Sequence, residues 1–487
     1  MQKIKWNIIL GILVTFAFFS LLLIRLELFR NNHEPVTNMQ ITKLQEPQDI
    51  WMNIFQNNKK IGFVHRTFSK RNNQYYFNEK VIMEINTMGV TQALNISTEG
   101  ELNPDMTLSS FNFNLNSSIF SFNAHGYVSK NKLILFTGLP NAQEKSELPL
   151  KEIPHISGSI YDAAFHNKLG NDATRNFSVF DPSTMSIQPI KVTRNADEII
   201  PIMGKRILTK KYCADFMGAK NCAWLDKDGN VLKETGILGL SMEKTIKDKA
   251  LEGIDRGASF DITQIASIPS NIEIKEAQNL SQIKIKIKGI NNELFLDGDR
   301  QSYHNNILTI TRENIQSTSH IEKNLPAEIS LYLKPSPLIQ SNNPQIKTQA
   351  EKIIKPTDST EKKVRKIIDW VYRNLEKKPT LSVPNALEVL KNKSGDCNEH
   401  TVLTVALLRA AGIPAQSEAG LVYLRGRFYY HAWCVFYLDK WITADAVFNQ
   451  LPADVTHIRL IRGESDKQIS LMGVIGKIKL EVMEQRR

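Results

Sequence analysis

Hydrophobic and polar residues alternate with a period of two through most of residues 48–335. The pattern is clearest in FNFNLN, where Phe111, Phe113 and Leu115 alternate with asparagines, and in QIKIKIK, where isoleucines alternate with lysines. Strands of this kind bury one face and leave the other in water, as in antiparallel sheets. We therefore expect two β-rich modules, at residues 48–160 and 170–335, with a helical break between them.

The hydrophobic period changes after a linker rich in proline, serine and asparagine at residues 334–345. Apolar residues then recur every three or four positions from Val364 to Leu375, which predicts a helix capped by Thr360. A short helix at 386–390 and a longer one from Cys397 to Gly412 follow, and the pattern then becomes that of strands. Helices followed by strands indicate a separate α+β domain at residues 346–487.

One segment near the start of the chain is long and apolar enough to span a membrane. Residues 6–24 read WNIILGILVTFAFFSLLLI, which corresponds to about 28 Å of helix without a charge. Because no small-residue cleavage site follows, we expect an uncleaved signal anchor at residues 1–30. The membrane is then a partner, and the rest of the chain is expected outside the cytoplasm, in the periplasm of a Gram-negative cell.

The composition is that of a globular protein of several domains. The chain has 487 residues, of which 42% are hydrophobic and 23% charged. A net charge of +11 favours acidic partners in general. However, no basic run is interleaved with aromatic residues as in a nucleic-acid groove, so we expect no nucleic-acid partner.

Four cysteines are too few for a disulfide scaffold in a chain of this length. Cys213 and Cys222 flank a predicted hairpin tip, where an oxidising compartment would allow a local disulfide. Two ordinary thiols fit the sequence equally well, and the sequence does not decide between these alternatives.

Three residues of the predicted C-terminal domain form a candidate catalytic group. Cys397 begins an apolar helix, where free backbone N–H groups and the helix dipole favour a thiolate. His431 lies on a later strand and can carry the proton of a leaving amine. Asp445 ends the next strand, so a two-stranded hairpin would place it beside His431 and let it orient the imidazole.

A zinc site is the rival interpretation of the same region. Cys397 and His400 could form one pair of ligands, and His431 and Cys434 a second pair. Residues three apart on a strand point to opposite faces, which argues against a common ion for the second pair. We therefore expect no metal and no cofactor. Asp396, directly before Cys397, is expected to cap the helix.

The C-terminal region resembles the transglutaminase-like family over about residues 350–465. The matching segments are GDCNEH at 395–400, LLRAAGIPA at 407–415, GLVY at 420–423, YYHAW at 429–433 and WITADAVFNQ at 441–450. The resemblance implies a papain-like α+β core, with Cys397 as nucleophile, His431 as base and Asp445 as orienting acid. Many members have Asp-Pro where this chain has Asp445-Ala446, a difference expected to affect the turn more than the chemistry.

The resemblance leaves the rest of the site open. It does not fix a second oxyanion donor, for which Trp370 is a candidate, and His400 and Trp433 are further candidates for binding. The front β region, beginning with IFQNNKKIGF, resembles extracytoplasmic regions of membrane-anchored bacterial members of the family.

The sequence thus predicts an α+β fold with an N-terminal transmembrane helix, an antiparallel β-rich front region and a papain-like C-terminal domain. The predicted function is that of a membrane-anchored, extracytoplasmic, thiol-dependent hydrolase of amides or peptides, or an acyltransferase, acting on a protein or peptide. The alternative is a non-catalytic, membrane-tethered binding protein with a vestigial transglutaminase-like domain. The oligomeric state is left open.

Overall fold

An antiparallel sheet of fifteen strands is the largest element of the structure, and the strands follow one another in space almost as they do in sequence. The structure is a computed structural model, and it describes residues 47–487 except 119, 139–142, 217–218, 237, 255–260, 291–293, 316–324, 469–470 and 472–473. The strands are β1 (Gln48–Gln56), β2 (Lys59–Arg71), β3 (Gln74–Thr87), β4 (Val90–Leu102), β5 (Leu108–Ser117), β6 (Ser121–Ser129), β7 (Lys132–Thr137), β8 (Glu144–Pro149), β9 (His155–Ile156), β10 (Thr174–Asp181), β11 (Ser186–Ile202), β12 (Lys205–Phe216), β13 (Ala219–Leu225), β14 (Val231–Thr235) and β15 (Leu240–Thr245).

Pairing between β1 and β15 joins the two ends of this region into one sheet. Strands β1–β8 form one run of neighbours and β9–β15 the other, and only the β9–β10 pair is parallel within the described sheet. The alternation that predicted these strands is visible in β5, where Phe111, Phe113 and Leu115 are buried in a large apolar core. The predicted antiparallel β-rich front region is therefore present.

Helices and short 3₁₀ turns fill the connections and the C-terminal region. The helices are α1 (Ile160–His166), α2 (Lys247–Leu251), α3 (Ile262–Ala266), α4 (Ala327–Ser330), α5 (Pro344–Ile353), α6 (Thr360–Asn374), α7 (Ala386–Asn392), α8 (Cys397–Ala410) and α9 (Ser465–Gln468). The 3₁₀ turns are Ser157–Ser159, Ala277–Asn279 and Leu331–Leu333.

The remaining strands form small sheets around the C-terminal helices. They are β16 (Ile268–Pro269), β17 (Gln282–Lys288), β18 (Gln301–His304), β19 (Ile307–Thr311), β20 (Glu376–Lys377), β21 (Ser394–Gly395), β22 (Ala415–Leu424), β23 (Arg427–Leu438), β24 (Lys440–Ala444), β25 (Ile458–Arg462) and β26 (Lys479–Arg486). One sheet has the order β16-β23-β22-β25, with β24 paired to β23, and a second has the order β18-β19-β17-β26. Helix α8 packs on β22 and β23 over an apolar core.

The helix ends show how the sequence fixes the C-terminal elements. Helix α6 is capped by the Ser359 hydroxyl, one residue before the predicted cap Thr360. Asp396 caps α8 as predicted, and Glu399 completes a capping box with the Asp396 N–H. A Cβ atom at Gly395 would lie 2.3 Å from the Glu399 Cβ, so only glycine fits before this cap.

The predicted fold class was wrong in one respect. In the part of the chain that the structure describes, no helix is long and apolar enough to cross a membrane. The longest described helices, α6 and α8, have 15 and 14 residues, whereas a span needs about 20 apolar residues. The fold of the described residues is a β-rich one built on a large antiparallel sheet. The predicted anchor at residues 1–30, with its span at 6–24, lies outside the described residues.

The predicted domain boundaries stay predictions. The described residues all fall in one compact unit, Leu44–Arg487. Strands from both predicted modules, 48–160 and 170–335, pair in the fifteen-stranded sheet. In addition, β26 at the end of the chain pairs with β17, which lies in the second predicted module.

A disulfide joins Cys213 on β12 to Cys222 on β13. The two residues face each other directly in the strand register, so the bond closes the β12–β13 hairpin. The structure thereby decides between the two alternatives that the sequence left open.

A buried arginine on the fifteen-stranded sheet lies among three carboxylates. The Arg66 guanidinium pairs with Asp162, and Glu79 and Glu234 also lie within electrostatic range. Burial, partly offset by Arg66, raises the pKa of Glu234 to about 7. A carboxyl whose pKa is raised on folding destabilises the folded state once it ionises, so stability is expected to fall as the pH rises from about 4.5 to about 7.

We predict that Glu234→Gln raises the free energy of unfolding by ~1–3 kcal/mol at pH 8 and changes it little at pH 4.5. The amide keeps the size of the side chain but removes the buried charge. Urea unfolding of the wild type and the variant at both pH values measures the effect, and Glu99→Gln on the exposed side of β4 is the matched control. Equal stabilisation at pH 4.5 and pH 8 would contradict the electrostatic explanation.

Candidate active site

Cys397 is the first residue of α8, and its side chain is only partly buried. The N–H groups of Asn398 and His400, in the same turn, are already bound by the side chain and the carbonyl of Asp396. The N–H of Cys397 donates to no acceptor among the described residues. The Cys397 N–H is therefore the N–H group of the first turn that can donate a hydrogen bond to an oxygen atom of a ligand.

The surroundings of the Cys397 thiol oppose its ionisation. Burial of the sulfur, followed by the Asp396 carboxyl group beside it, raises the pKa of Cys397 well above its ordinary value. A hydrogen bond with the backbone N–H of Ala432 favours the thiolate but does not outweigh these effects. The sequence-based expectation that the helix start would favour a thiolate is therefore wrong for the resting site, and a base must take the proton.

The capping group beside Cys397 is an acid pair. Burial and then the neighbouring Glu399 raise the pKa of Asp396 well above its ordinary value. Glu399 itself is 2% exposed and accepts a short hydrogen bond from the Ser382 hydroxyl. Asp396 and Glu399 thus serve the start of α8, as expected for Asp396 from the sequence.

His431 and Asp445 meet at the hairpin formed by β23 and β24. The His431 Nε2 atom lies 2.7 Å from Asp445 Oδ2, and both side chains are almost fully buried. Because Asp445 occupies Nε2, the other ring nitrogen, Nδ1, is the one that can exchange a proton with a thiol. The next residue on the strand, Ala432, supplies the hydrogen bond to Cys397. These contacts bring all three predicted catalytic residues into one region, while their catalytic roles stay a prediction.

A tight turn fixes the carboxylate of Asp445. The N–H groups of Val447 and Phe448 donate to Oδ1 at 2.6 and 3.1 Å, and the backbone of Asp445 forms a two-way bridge with Gln450. Burial raises the pKa of Asp445, but His431 and His457 together outweigh it and hold this pKa far below its ordinary value. The turn forms with Ala446 after the aspartate, where many family members have proline.

His457 is the residue that the sequence analysis missed. It is fully buried just before β25, and its Nε2 atom lies 2.9 Å from the same Asp445 oxygen that binds His431. Its Nδ1 atom lies 3.3 Å from Asp454 Oδ1. No periodicity marks His457, because it lies in an irregular segment, but the spacing of Asp454 and His457 within an otherwise apolar stretch is a weak signal for a buried pair.

The group of possible metal ligands differs from the one considered from the sequence. In the described part of the chain, His431, Asp445 and His457 have ligand atoms within 4.8 Å of one another. Their contacts of 2.7 and 2.9 Å are hydrogen bonds, whereas the ligands of a tetrahedral zinc ion lie about 3.3 Å apart. The residues fit a hydrogen-bonded group better than an ion.

The other members of the rival zinc set have different surroundings. Cys434 is buried in the apolar core, and its thiol donates to the Ala444 carbonyl. The His400 Nδ1 atom lies 2.7 Å from the Asp396 carbonyl, its Nε2 atom has no partner among the described residues, and burial lowers its pKa. Neither residue belongs to the potential ligand group at Asp445.

The remaining candidates for binding lie at different places. Trp433 is fully buried; its indole N–H donates to Glu418, and its ring lies 6.2 Å from that of His431. Trp370 lies on α6 and packs against the C-terminal apolar core. Roles of Trp433, His400 and Trp370 in binding stay predictions.

Part of the C-terminal region matches a known protein family. Residues 347–446 match the family model of the transglutaminase-like superfamily. The chain therefore contains a transglutaminase-like domain, whose fold is papain-like, with α8 packed on the sheet that carries His431. No curated protein sequence matches the chain.

Solved structures resemble parts of the chain. One, described as a "putative cysteine protease" from Cytophaga hutchinsonii, is 20% identical and covers 42% of this chain and 84% of its own, with a TM-score of 0.28. The periplasmic domain of TgpA from Pseudomonas aeruginosa is 13% identical over 39% of this chain and 91% of its own, with a TM-score of 0.25. A beta-barrel-like protein of unknown function from Brucella abortus is 10% identical over 42% of this chain and 97% of its own, with a TM-score of 0.33.

We predict that iodoacetamide modifies Cys397 and spares Cys434 in the folded protein. Because the pKa of Cys397 is raised, the rate is expected to keep rising, by about tenfold per pH unit, between pH 7 and pH 9. Peptide mapping by mass spectrometry follows each cysteine, and Cys434 in the same sample is the internal control. A rate that levels off below pH 8 would show a thiolate in the resting site and contradict this prediction.

Proposed function

We propose that this protein is a thiol-dependent hydrolase of amide bonds that acts through an acyl-enzyme on Cys397. The observation that carries the proposal is the buried hydrogen bond of 2.7 Å between His431 and Asp445, beside the helix start that bears Cys397. A nucleophile, a base and an orienting carboxylate in this arrangement are what acyl transfer requires.

The first half of the reaction forms a thioester. Because the resting thiol is neutral, His431 Nδ1 takes the proton of Cys397 as the sulfur attacks the substrate carbonyl. The carbonyl oxygen becomes an oxyanion and accepts the N–H of Cys397. When the C–N bond breaks, the leaving amine takes the proton from His431, and the acyl group stays on the sulfur.

The second half releases the acid. His431 removes a proton from a water molecule that attacks the thioester, and the proton returns to the sulfur as the C–S bond breaks. An amine in place of water would give transamidation by the same steps. We favour hydrolysis, because water is always present and no described feature selects an acceptor amine.

A cavity of about 10 Å³, with room for one water molecule, lies beside the catalytic group. Asn398 and Ala432, the chain neighbours of Cys397 and His431, line it together with Ser417 and Gln468. The Ser417 hydroxyl is buried and has no hydrogen-bond partner among the described residues. A water molecule in this cavity would supply that partner, since a buried hydroxyl without one is unfavourable.

The compartment is part of the same proposal. The disulfide between Cys213 and Cys222 supports a location outside the cytoplasm, because disulfides persist in oxidising compartments. Nucleic acid is not among the proposed partners.

We predict that Cys397→Ala and His431→Ala each lower kcat for amide hydrolysis at least ~10³-fold, and that Asp445→Asn lowers it ~10²–10⁴-fold. The assay incubates the protein with a peptide library in ¹⁸O-labelled water and detects new labelled carboxyl groups by mass spectrometry. Cys434→Ala, which alters the buried thiol, is the matched control and is expected to keep the activity.

Two outcomes would overturn the proposal. Hydrolysis that persists in Cys397→Ala would exclude the thiol mechanism. If added amines are incorporated faster than ¹⁸O, the protein is a transamidase rather than a hydrolase. The non-catalytic alternative, a binding protein with a vestigial triad, predicts no turnover at all and unchanged ligand binding in Cys397→Ala.

A further inference from the structure

The buried His457 is a second histidine partner of Asp445, beside His431. Both imidazoles, of His431 and of His457, direct Nε2 to the single oxygen Oδ2 of Asp445. The two rings lie 5.9 Å apart, at an angle of 60°. Asp445 therefore serves two histidines, and the mechanism above uses only one of them.

The second ring nitrogen of His457 also faces a carboxylate. Asp454 Oδ1 lies 3.3 Å from Nδ1, and the same oxygen accepts from the N–H and the hydroxyl of Thr456. The other oxygen of Asp454 accepts from the Gln450 amide. With donors on both its oxygens, Asp454 is an acceptor, so both nitrogens of His457 must carry protons to satisfy the two aspartates.

Electrostatics agrees with a doubly protonated ring. Burial alone would lower the pKa of His457, but Asp454 and Asp445 together raise it to about 9. Arg300 is a further charged neighbour, which donates to the carbonyl oxygen of His457 and pairs with Glu313 at 3.0 Å. Its charge is balanced there, and it contacts the backbone rather than the ring.

Aromatic side chains pack against the His457 ring. Trp433 lies 5.1 Å away at 88°, and Phe448 lies 6.1 Å away at 77°. The ring is 0% exposed, so neither water nor substrate reaches it directly. His457 can then act on the reaction only through Asp445.

We propose that His457 is a positioning residue: a buried imidazolium, anchored by Asp454, that keeps Asp445 ionised and its Oδ2 directed at His431. The inference rests on the proposed function, because it assigns His457 a part in the same proton transfers. Below about pH 9 the cation holds the carboxylate in its charged form.

Nuclear magnetic resonance tests the ion pair without any substrate. In the full chain labelled with ¹⁵N-histidine and ¹³Cγ-aspartate, we expect the His457 ring to remain doubly protonated at pH 7.5 and to titrate with a midpoint of about 9. Asp454→Asn, which preserves the size of the side chain, should lower that midpoint by at least about one pH unit. A neutral His457 ring at pH 7 would overturn the proposal.

The same labelled protein tests the effect on Asp445. In His457→Gln, whose amide can still donate to Oδ2 but carries no charge, the pKa of Asp445 should rise, so its carboxyl signal should titrate at higher pH than in the wild type. His155→Gln removes a partly buried histidine of β9 that binds the Met106 carbonyl, and it should leave the Asp445 titration unchanged. An Asp445 titration that is the same in His457→Gln and in the wild type would contradict the proposal.

Kinetic measurements test whether the contact between His457 and Asp445 affects the reaction. For a hydrolysed peptide, we expect His457→Gln to lower kcat about tenfold or more at pH 5.5 and less than about threefold at pH 8, with KM nearly unchanged. Asp454→Asn should also lower kcat more at pH 5.5 than at pH 8, but by a smaller factor than His457→Gln. A pH-independent loss of kcat would indicate a merely structural role. If the wild type hydrolyses nothing, the proposed function fails, whereas the two resonance measurements still decide whether His457 holds Asp445.

Discussion

A carboxylate buried without exposure to water is the constraint on which the candidate site depends. Asp445 is 0% exposed, and an unpaired charge at such a position would cost several kcal/mol. Four donors compensate for the lost hydration: two imidazoles at Oδ2 and two backbone N–H groups at Oδ1. The β23–β24 hairpin, the turn after Asp445 and the segment before β25 each supply at least one of them, so these three elements meet at the buried carboxylate.

Strand β23 carries His431 of the candidate site on one face and residues of the apolar core on the other. Alternation along the strand directs Cys434 and Phe436 into the apolar cluster beneath α8, while His431 and Trp433 lie beside His457. The apolar cluster holds α8 on the sheet, and the capping box fixes where the helix begins. The position of Cys397 relative to the Ala432 backbone therefore follows from core packing and from a cap, in addition to the hydrogen bond between Cys397 and the Ala432 N–H.

Local sequence signals predicted the parts of this structure that depend on local forces. The period-two stretches became β5 and β17, the cap before Cys397 began α8, and the spacing of His431 and Asp445 suited a hairpin. Partners distant in sequence were not predictable in this way. Nothing in β1 or β15 specifies that they pair to give one sheet of fifteen strands, and β26 shows no sign of its pairing with β17. His457 was missed for the same reason, because its partner Asp445 lies across a turn without periodicity. The predicted thiolate failed because burial of Cys397 outweighs the helix start.

Trapping the acyl-enzyme is the measurement that tests the central claim most directly. The full chain is mixed with a peptide thioester, quenched with acid and examined by intact-mass and peptide-mapping mass spectrometry, beside His431→Ala. The account predicts one acyl group, on Cys397, that forms and decays in the wild type and accumulates far more slowly in the variant. An adduct on another residue, or one that forms on Cys397 at the same rate without His431, would contradict it.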